Sequence, residues 1–218
     1  MQDRPSNVAA PTSAAPAVPP FAESTPLGLL GLSIGCAALL PIAFGHSLSP
    51  AALRTAAMFC LLFGAGGQFL AGMMALANKN VLGGTLFTTF SFNWVMNWWA
   101  LSGLAEGKLP DPAIVLSVDV TFLVIFCVLT YAFGFHSKLL FAFLFDIDVL
   151  FVARIAKELT HQPQLGMVVA LCTVALIAIS LWIAFAILVN PVAGRAIFAM
   201  PGPLFVARSA SAAPSPPT

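Results

Sequence analysis

The sequence predicts an all-α integral membrane protein, a single bundle of six transmembrane helices. Three observations carry that prediction. Hydrophobic residues make up 60% of the 218 and charged residues 8%, against roughly 25% charged in soluble domains. So few charges cannot cover a water-facing surface, and lipid must be the solvent for most of the chain. Second, six apolar runs are each long enough to cross a bilayer, which takes about 20 helical residues. Third, the connections are short and rich in turn residues, so successive helices run antiparallel in one bundle. The formal net charge of +1 leaves no electrostatic footprint for nucleic acid.

In chain order, Met1 to Ala22 is Ala, Pro and Ser with a few charges and has no long apolar segment after Met1. It reads as a disordered arm, not a secretory signal. The organisation is an N-terminal arm over 1–24, a transmembrane domain over 25–205 and a disordered tail over 206–218. The runs are Pro26–Phe44, Leu53–Ala77, Gly84–Leu104, Pro112–Phe133, Lys138–Ile155 and Leu165–Val189. Each must be helical, because backbone groups in lipid have to be satisfied within their own segment. Asn190-Pro191 closes the sixth. Lysines and arginines divide five against four between the two sides when the N-terminus is placed inside, which barely biases orientation.

Enzyme signatures such as a P-loop, HExxH or Cys-x-x-Cys are missing. His46, His136 and His161 fall in loops or at helix ends. Neither a metal, a haem nor another cofactor is expected. Cys36, Cys60, Cys127 and Cys172 are far apart in apolar runs and read as small buried residues.

Polar and small residues in the runs carry the functional information. Gly28, Gly31 and Gly35 share a face of the first helix. They either admit a neighbouring backbone or border a narrow path. Gln68 lies between Gly64 and Gly72 at four-residue spacing. A buried amide needs partners, so Gln68 either ties helices together or lines a path. Gly83-Gly84 weakens the start of the third helix. Thr85, Thr89, Asn93 and Asn97 then recur every four residues, with Phe90 beside them. This stripe must face protein or water.

Asp119 lies inside the fourth helix, and Asp146 and Asp148 near the middle of the fifth. Acids in hydrocarbon are protonated, paired or hydrated. Residues two apart point about 200° from each other, so Asp146 and Asp148 cannot both face one pore. Of these two, at most one lines a path as a proton site, and the other belongs to a helix or subunit interface; Asp119 is a further candidate proton site.

These stretches, in this order, resemble the acetate uptake transporter family, also called the succinate–acetate permease family. Pro26, Leu27, Gly28 and Leu29 match the end of its Asn-Pro-x-Pro-Leu-Gly-Leu motif, with Glu23 and Ser24 in place of its Asn and first Pro. Gly64, Gln68, Ala71 and Gly72 match in the second helix. Asn80, Gly83, Thr85 and Phe87 match an Asn-x-Phe-Gly-x-Thr-x-Phe pattern in which Leu82 replaces the Phe. Trp94, Asn190, Gly194 and Arg195 also match. The resemblance spans Thr25 to Pro203. It implies a six-helix protomer with both termini cytoplasmic, assembled as a homo-hexamer in the cell membrane, with a path through each protomer. It also implies passage of acetate and related small carboxylates by channel or proton-coupled carrier. The path would be pinched by Leu32, Phe90 and Ile147, with Phe90 standing where the family has tyrosine. The alternative is a non-transporting subunit of a larger membrane assembly, which would lack a continuous polar path.

Overall fold

The computed structural model describes residues 19–206. Six helices account for most of them, and no strand occurs among the described residues. They are α1 Thr25–Ala43, α2 Pro50–Ala77, α3 Val81–Leu104, α4 Pro112–Phe133, α5 Lys138–Thr160 and α6 Leu165–Ala193. Each expected run is one helix. By length and hydropathy alone, α1, α2, α4 and α6 qualify as membrane spans. The other two, α3 and α5, are long enough but more polar; Ser91 and Asn93 of α3 and Asp148 of α5 are buried in the bundle, whereas Thr85, Lys138, Lys157 and Glu158 are exposed. α5 continues to Thr160 instead of stopping at Ile155, so Lys157 and Glu158 belong to its last turns.

Helix starts are set by side chains that satisfy otherwise orphaned N–H groups. Ser49 Oγ accepts from the Ala52 N–H at 3.2 Å, Asn80 Oδ1 from Gly83 at 2.9 Å and Asp111 Oδ1 from Ile114 at 3.1 Å. The Asn80 cap holds the α3 start that Gly83-Gly84 was expected to weaken. Gly84 is needed there, because a Cβ would stand 2.5 Å from the Leu76 side chain.

α1 packs on α2 and α6, α2 on α3, α4 on α5 and α5 on α6. The order around the bundle is therefore α3–α2–α1–α6–α5–α4, and the α3–α4 seam is closed by side chains such as Phe90 on Phe126. The middle of α2, Cys60–Gly67, is π-helical. Its glycines let α1 come close: a Cβ on Gly31 would lie 2.5 Å from the Phe63 carbonyl and 3.3 Å from Gly67 Cα. A Cβ on Gly35 would meet the Trp94 ring at 3.1 Å, and one on Gly72 the Thr88 backbone at 2.8 Å. The glycine faces are thus filled within the bundle and border no open path.

Both ends of the described segment lie on one face of the bundle, the terminal face. The arm boundary moves: Phe21 N–H donates to Asn78 Oδ1 at 3.0 Å, and Ser24 Oγ donates to the Ala71 carbonyl at 2.9 Å. Residues 19–24 are docked, while 1–18 and 207–218 lie outside the described residues. After α6 the chain turns at Gly194, φ 63°, and forms a strap. Asn190 Oδ1 accepts from the N–H groups of Ile197 and Phe198 at 2.9 and 3.0 Å. Further on, Ser137 Oγ donates to Pro201 O at 2.9 Å, and Leu204 N–H to Gly134 O at 2.8 Å. Phe205 lies against Gly134, where any Cβ would collide with its ring. The strap therefore clamps the α4–α5 turn.

Candidate functional site

Two cavities enter the bundle from opposite ends. The far vestibule, of about 500 Å³, is walled by the C-terminal parts of α1, α3 and α5 and the N-terminal parts of α4 and α6. Leu39, Asn93, Trp94, Asn97, Asp119, Arg154, Lys157, Glu158 and Thr173 line it, and Cys36, Phe90, Ile147 and Phe151 form its floor. The terminal vestibule, of about 280 Å³, is lined by Thr25, Leu29, Asn80, Phe87, Phe133, His136, Leu140 and Phe143.

An apolar waist separates them. Phe87 lies in one cavity and Phe90 in the other, three residues apart; Phe143 and Ile147 are split likewise, four apart. At 1.5 Å rise per residue the barrier is roughly 5–6 Å thick, about one helical turn. Leu32, Phe126 and Leu144, each with no exposed surface, fill it without lining either cavity. Phe90 meets Phe126 edge-on with ring centroids 5.1 Å apart, and Phe126 stacks on Phe151 at 5.6 Å. Leu32, Phe90 and Ile147 belong to one buried apolar cluster, as do Leu29, Phe87 and Phe143.

The polar stripe on α3 divides. Asn93 and Asn97 line the far vestibule, and Asn97 Nδ2 donates to the Asn93 carbonyl at 3.1 Å. Thr89 is half-buried and Thr85 is exposed on the outside of the bundle. The cause is geometric. Four residues turn 400°, so an every-fourth stripe drifts about 40° per step and roughly 120° from Thr85 to Asn97. Gln68 is 1% exposed, but its Oε1 has no hydrogen-bond partner among the described residues and it lines neither vestibule.

The three acids go to three places. Asp119 faces the far vestibule and pairs with Arg154 Nη2 at 3.1 Å. Asp148 turns to α4, where Thr130 Oγ1 donates to its Oδ2 at 2.6 Å and the Cys127 thiol lies beside it. Asp146 turns to α6 and the thiol of Cys172. Neither Asp146 nor Asp148 lines a vestibule, and each retains one buried oxygen without a hydrogen-bond partner among the described residues. Cys36, Cys60 and Cys172 are buried, whereas Cys127 is exposed on the outer side of α4.

Sequence reasoning missed two parts of this arrangement. Phe126 and Phe151 carry no signal in a chain with 19 phenylalanines. The Asp119–Arg154 pair did have one. Asp119 stands fifteen residues before Gly134 and Arg154 seventeen after Ser137, so an antiparallel hairpin with a short turn brings them level.

No protein-family model and no curated protein sequence matches the chain. A solved structure does: the bacterial acetate channel SatP, at TM-score 0.72 and 18% sequence identity, covering 83% of this chain and 99% of that one. At that identity the likeness is one of fold, and the six-helix bundle described above is shared with that membrane channel over nearly its whole length.

Proposed function

We propose that this protein belongs to the acetate uptake transporter family and passes acetate and related small monocarboxylates across a membrane, through a path inside each protomer. One observation carries the reading: two cavities approach each other from opposite ends of the bundle and stop at an apolar waist about one turn thick. Such a waist blocks hydrated ions by dewetting and passes a small amphipathic solute whose methyl end tolerates apolar contact. The fold shared with an acetate channel supports the choice of solute. A scaffold subunit has no need of facing vestibules, so the geometry favours transport over that alternative.

Leu32, Phe90 and Ile147 set the bore in this reading, and Asn93 and Asn97 hold the solute above it. Phe90→Ala admits a larger carboxylate such as succinate; unchanged size selectivity removes Phe90 from that role. Proton coupling is part of the same proposal, with one of Asp146 and Asp148 as its site and the other at a helix or subunit interface. Asp146 is faced by the thiols of Cys172 and, farther off, Cys36, and Asp148 by Thr130 and Cys127. No cation is paired with either acid among the described residues. Asp146→Asn and Asp148→Asn are then expected to differ: one alters the pH dependence of uptake, the other assembly. The protomers form a cyclic hexamer with the terminal face cytoplasmic. Because the glycine faces are filled within the protomer, its contacts fall on outward faces such as Val120, Val124 and Val128 of α4. Native mass spectrometry in nanodiscs tests the number.

The deciding experiment is uptake of labelled acetate into vesicles containing only the purified protein. Protein-free vesicles give the rate at which acetic acid crosses lipid unaided. Saturable flux above that background supports the function, and flux equal to it overturns it.

A further inference from the structure

The far vestibule contains one cation–anion pair well inside the bundle, Arg154 of α5 with Asp119 of α4, and the apolar waist leaves its role open. Asp119 forms an ion pair with one guanidinium nitrogen, at 3.1 Å, and no second ion-pair partner of Arg154 is found among the described residues. A guanidinium has five N–H donors in a planar fork, so most of its donors remain available to a solute. The Arg154 side chain keeps 29% of its surface exposed while Asp119 keeps 9%. The guanidinium carbon sits 5.5 Å from the centroid of the Phe151 ring, which forms part of the vestibule floor. Beyond this vestibule is a side chamber of about 200 Å³ at the α3–α4 seam. Asn93, Asn97, Val115, Asp119 and Arg154 line both spaces, so four polar side chains and one valine stand together as the partition between them.

We propose that Arg154, with the amides of Asn93 and Asn97, is a carboxylate-binding site in the far vestibule, and that Asp119 is its built-in competitor. This inference rests on the transport reading above and names a residue set for it. The chemistry is that of guanidinium and carboxylate, which pair through two parallel hydrogen bonds. In the empty site the partner carboxylate is Asp119. An arriving small carboxylate takes the free side of the fork or replaces Asp119 on it, and the amides donate to its remaining lone pairs. A transport site must bind firmly enough to admit the solute and weakly enough to release it. An unopposed buried guanidinium would hold the anion too long; an adjacent carboxylate shortens its residence.

The test uses purified full-length protein, acetate as the charged probe and acetamide as its neutral isostere. Asp119→Asn frees the fork, and half-saturation of acetate uptake is expected to fall about tenfold, the scale of one charge-assisted hydrogen bond. Arg154→Gln is expected to raise it about tenfold and to lower the acetate-to-acetamide flux ratio by a similar factor. The charge-swapped double variant Asp119→Arg with Arg154→Asp keeps an ion pair for folding, and is expected to reproduce the Arg154→Gln loss. If the native protein carries acetate and Asp119→Asn and the charge swap both stay within about twofold of it, the inference is overturned and the transport reading stands. If the native protein carries no acetate, the transport reading fails, and calorimetric titration decides the site alone. Acetate heat that disappears in Arg154→Gln supports the site, and no heat with the native protein overturns it.

Discussion

The two halves of the bundle are held together by different means. In α1–α3 backbones touch: Gly31 faces Gly67, Gly35 faces Gly64 and Trp94, and Gly72 faces Thr88 and Gly84. In α4–α6 rings and polar atoms touch: Phe122, Phe126 and Phe151 stack with centroids 5.6 to 5.9 Å apart, and Thr130 binds Asp148. The acids within helices are confined to the second half. A backbone-to-backbone interface has no rotamers to adjust, so it makes a fixed wall. A side-chain interface can repack, so it makes a wall whose bore and charge are open to tuning. The waist lies where the two meet, at Phe90 on Phe126.

This contrast predicts a graded series of mutational costs. The largest is on the glycine side. Gly31→Val drives a branched side chain into the Phe63 carbonyl, whose backbone cannot yield, and is expected to cost about 3 kcal/mol or more. Thermal unfolding in detergent measures it; a native-like midpoint would mean α1 and α2 can separate freely. On the ring side, Thr130→Val keeps the shape but removes the donor to Asp148, at about 2 kcal/mol. A loss as large as that of Gly31→Val would erase the distinction between the halves. Phe122→Leu, a swap within an adjustable aromatic stack, is expected to cost under about 1.5 kcal/mol by the same measurement. The smallest effect is at the strap. Phe205→Ala removes aromatic contacts with Tyr131, Phe135 and Phe141, at about 1 kcal/mol. Faster hydrogen exchange at the Leu204 and Phe205 amides reads it directly, with uptake through the waist little changed.

The helices were legible in the sequence because lipid leaves the backbone only one economical form. Apolar runs therefore located all six, although Pro191, expected to close the sixth, lies inside α6, which runs on to Ala193 and stops at Gly194. Side-chain destinations were harder to read. A regular spacing such as Thr85 to Asn97 identifies a face only over a turn or two, because its drift carries the far end to another neighbour. Gln68 illustrates a second limit: its burial follows from its setting, but hydrogen-bond partners depend on how helices rotate about their axes. The opposite faces of Asp146 and Asp148 follow from the helical period. Their partners Cys172 and Thr130 depend on which helices lie alongside α5, which local spacing does not reveal. Asp119 and Arg154 required pairing α4 with α5 as a hairpin, a step that local periodicity never takes.

The strap also bears on the order of synthesis. The hydrogen bonds that fix the α4–α5 turn come from Pro201, Gly202, Leu204 and Phe205, all beyond α6. A ribosome makes them only after all six helices have been made. Until then the turn has no outer clamp, and α4 and α5 are joined only by the contacts of their own faces. Emergence of the strap therefore marks the moment at which the hairpin bearing Asp119 and Arg154 is fastened, and a chain stopped short of Pro201 presents that turn to the cell unfastened.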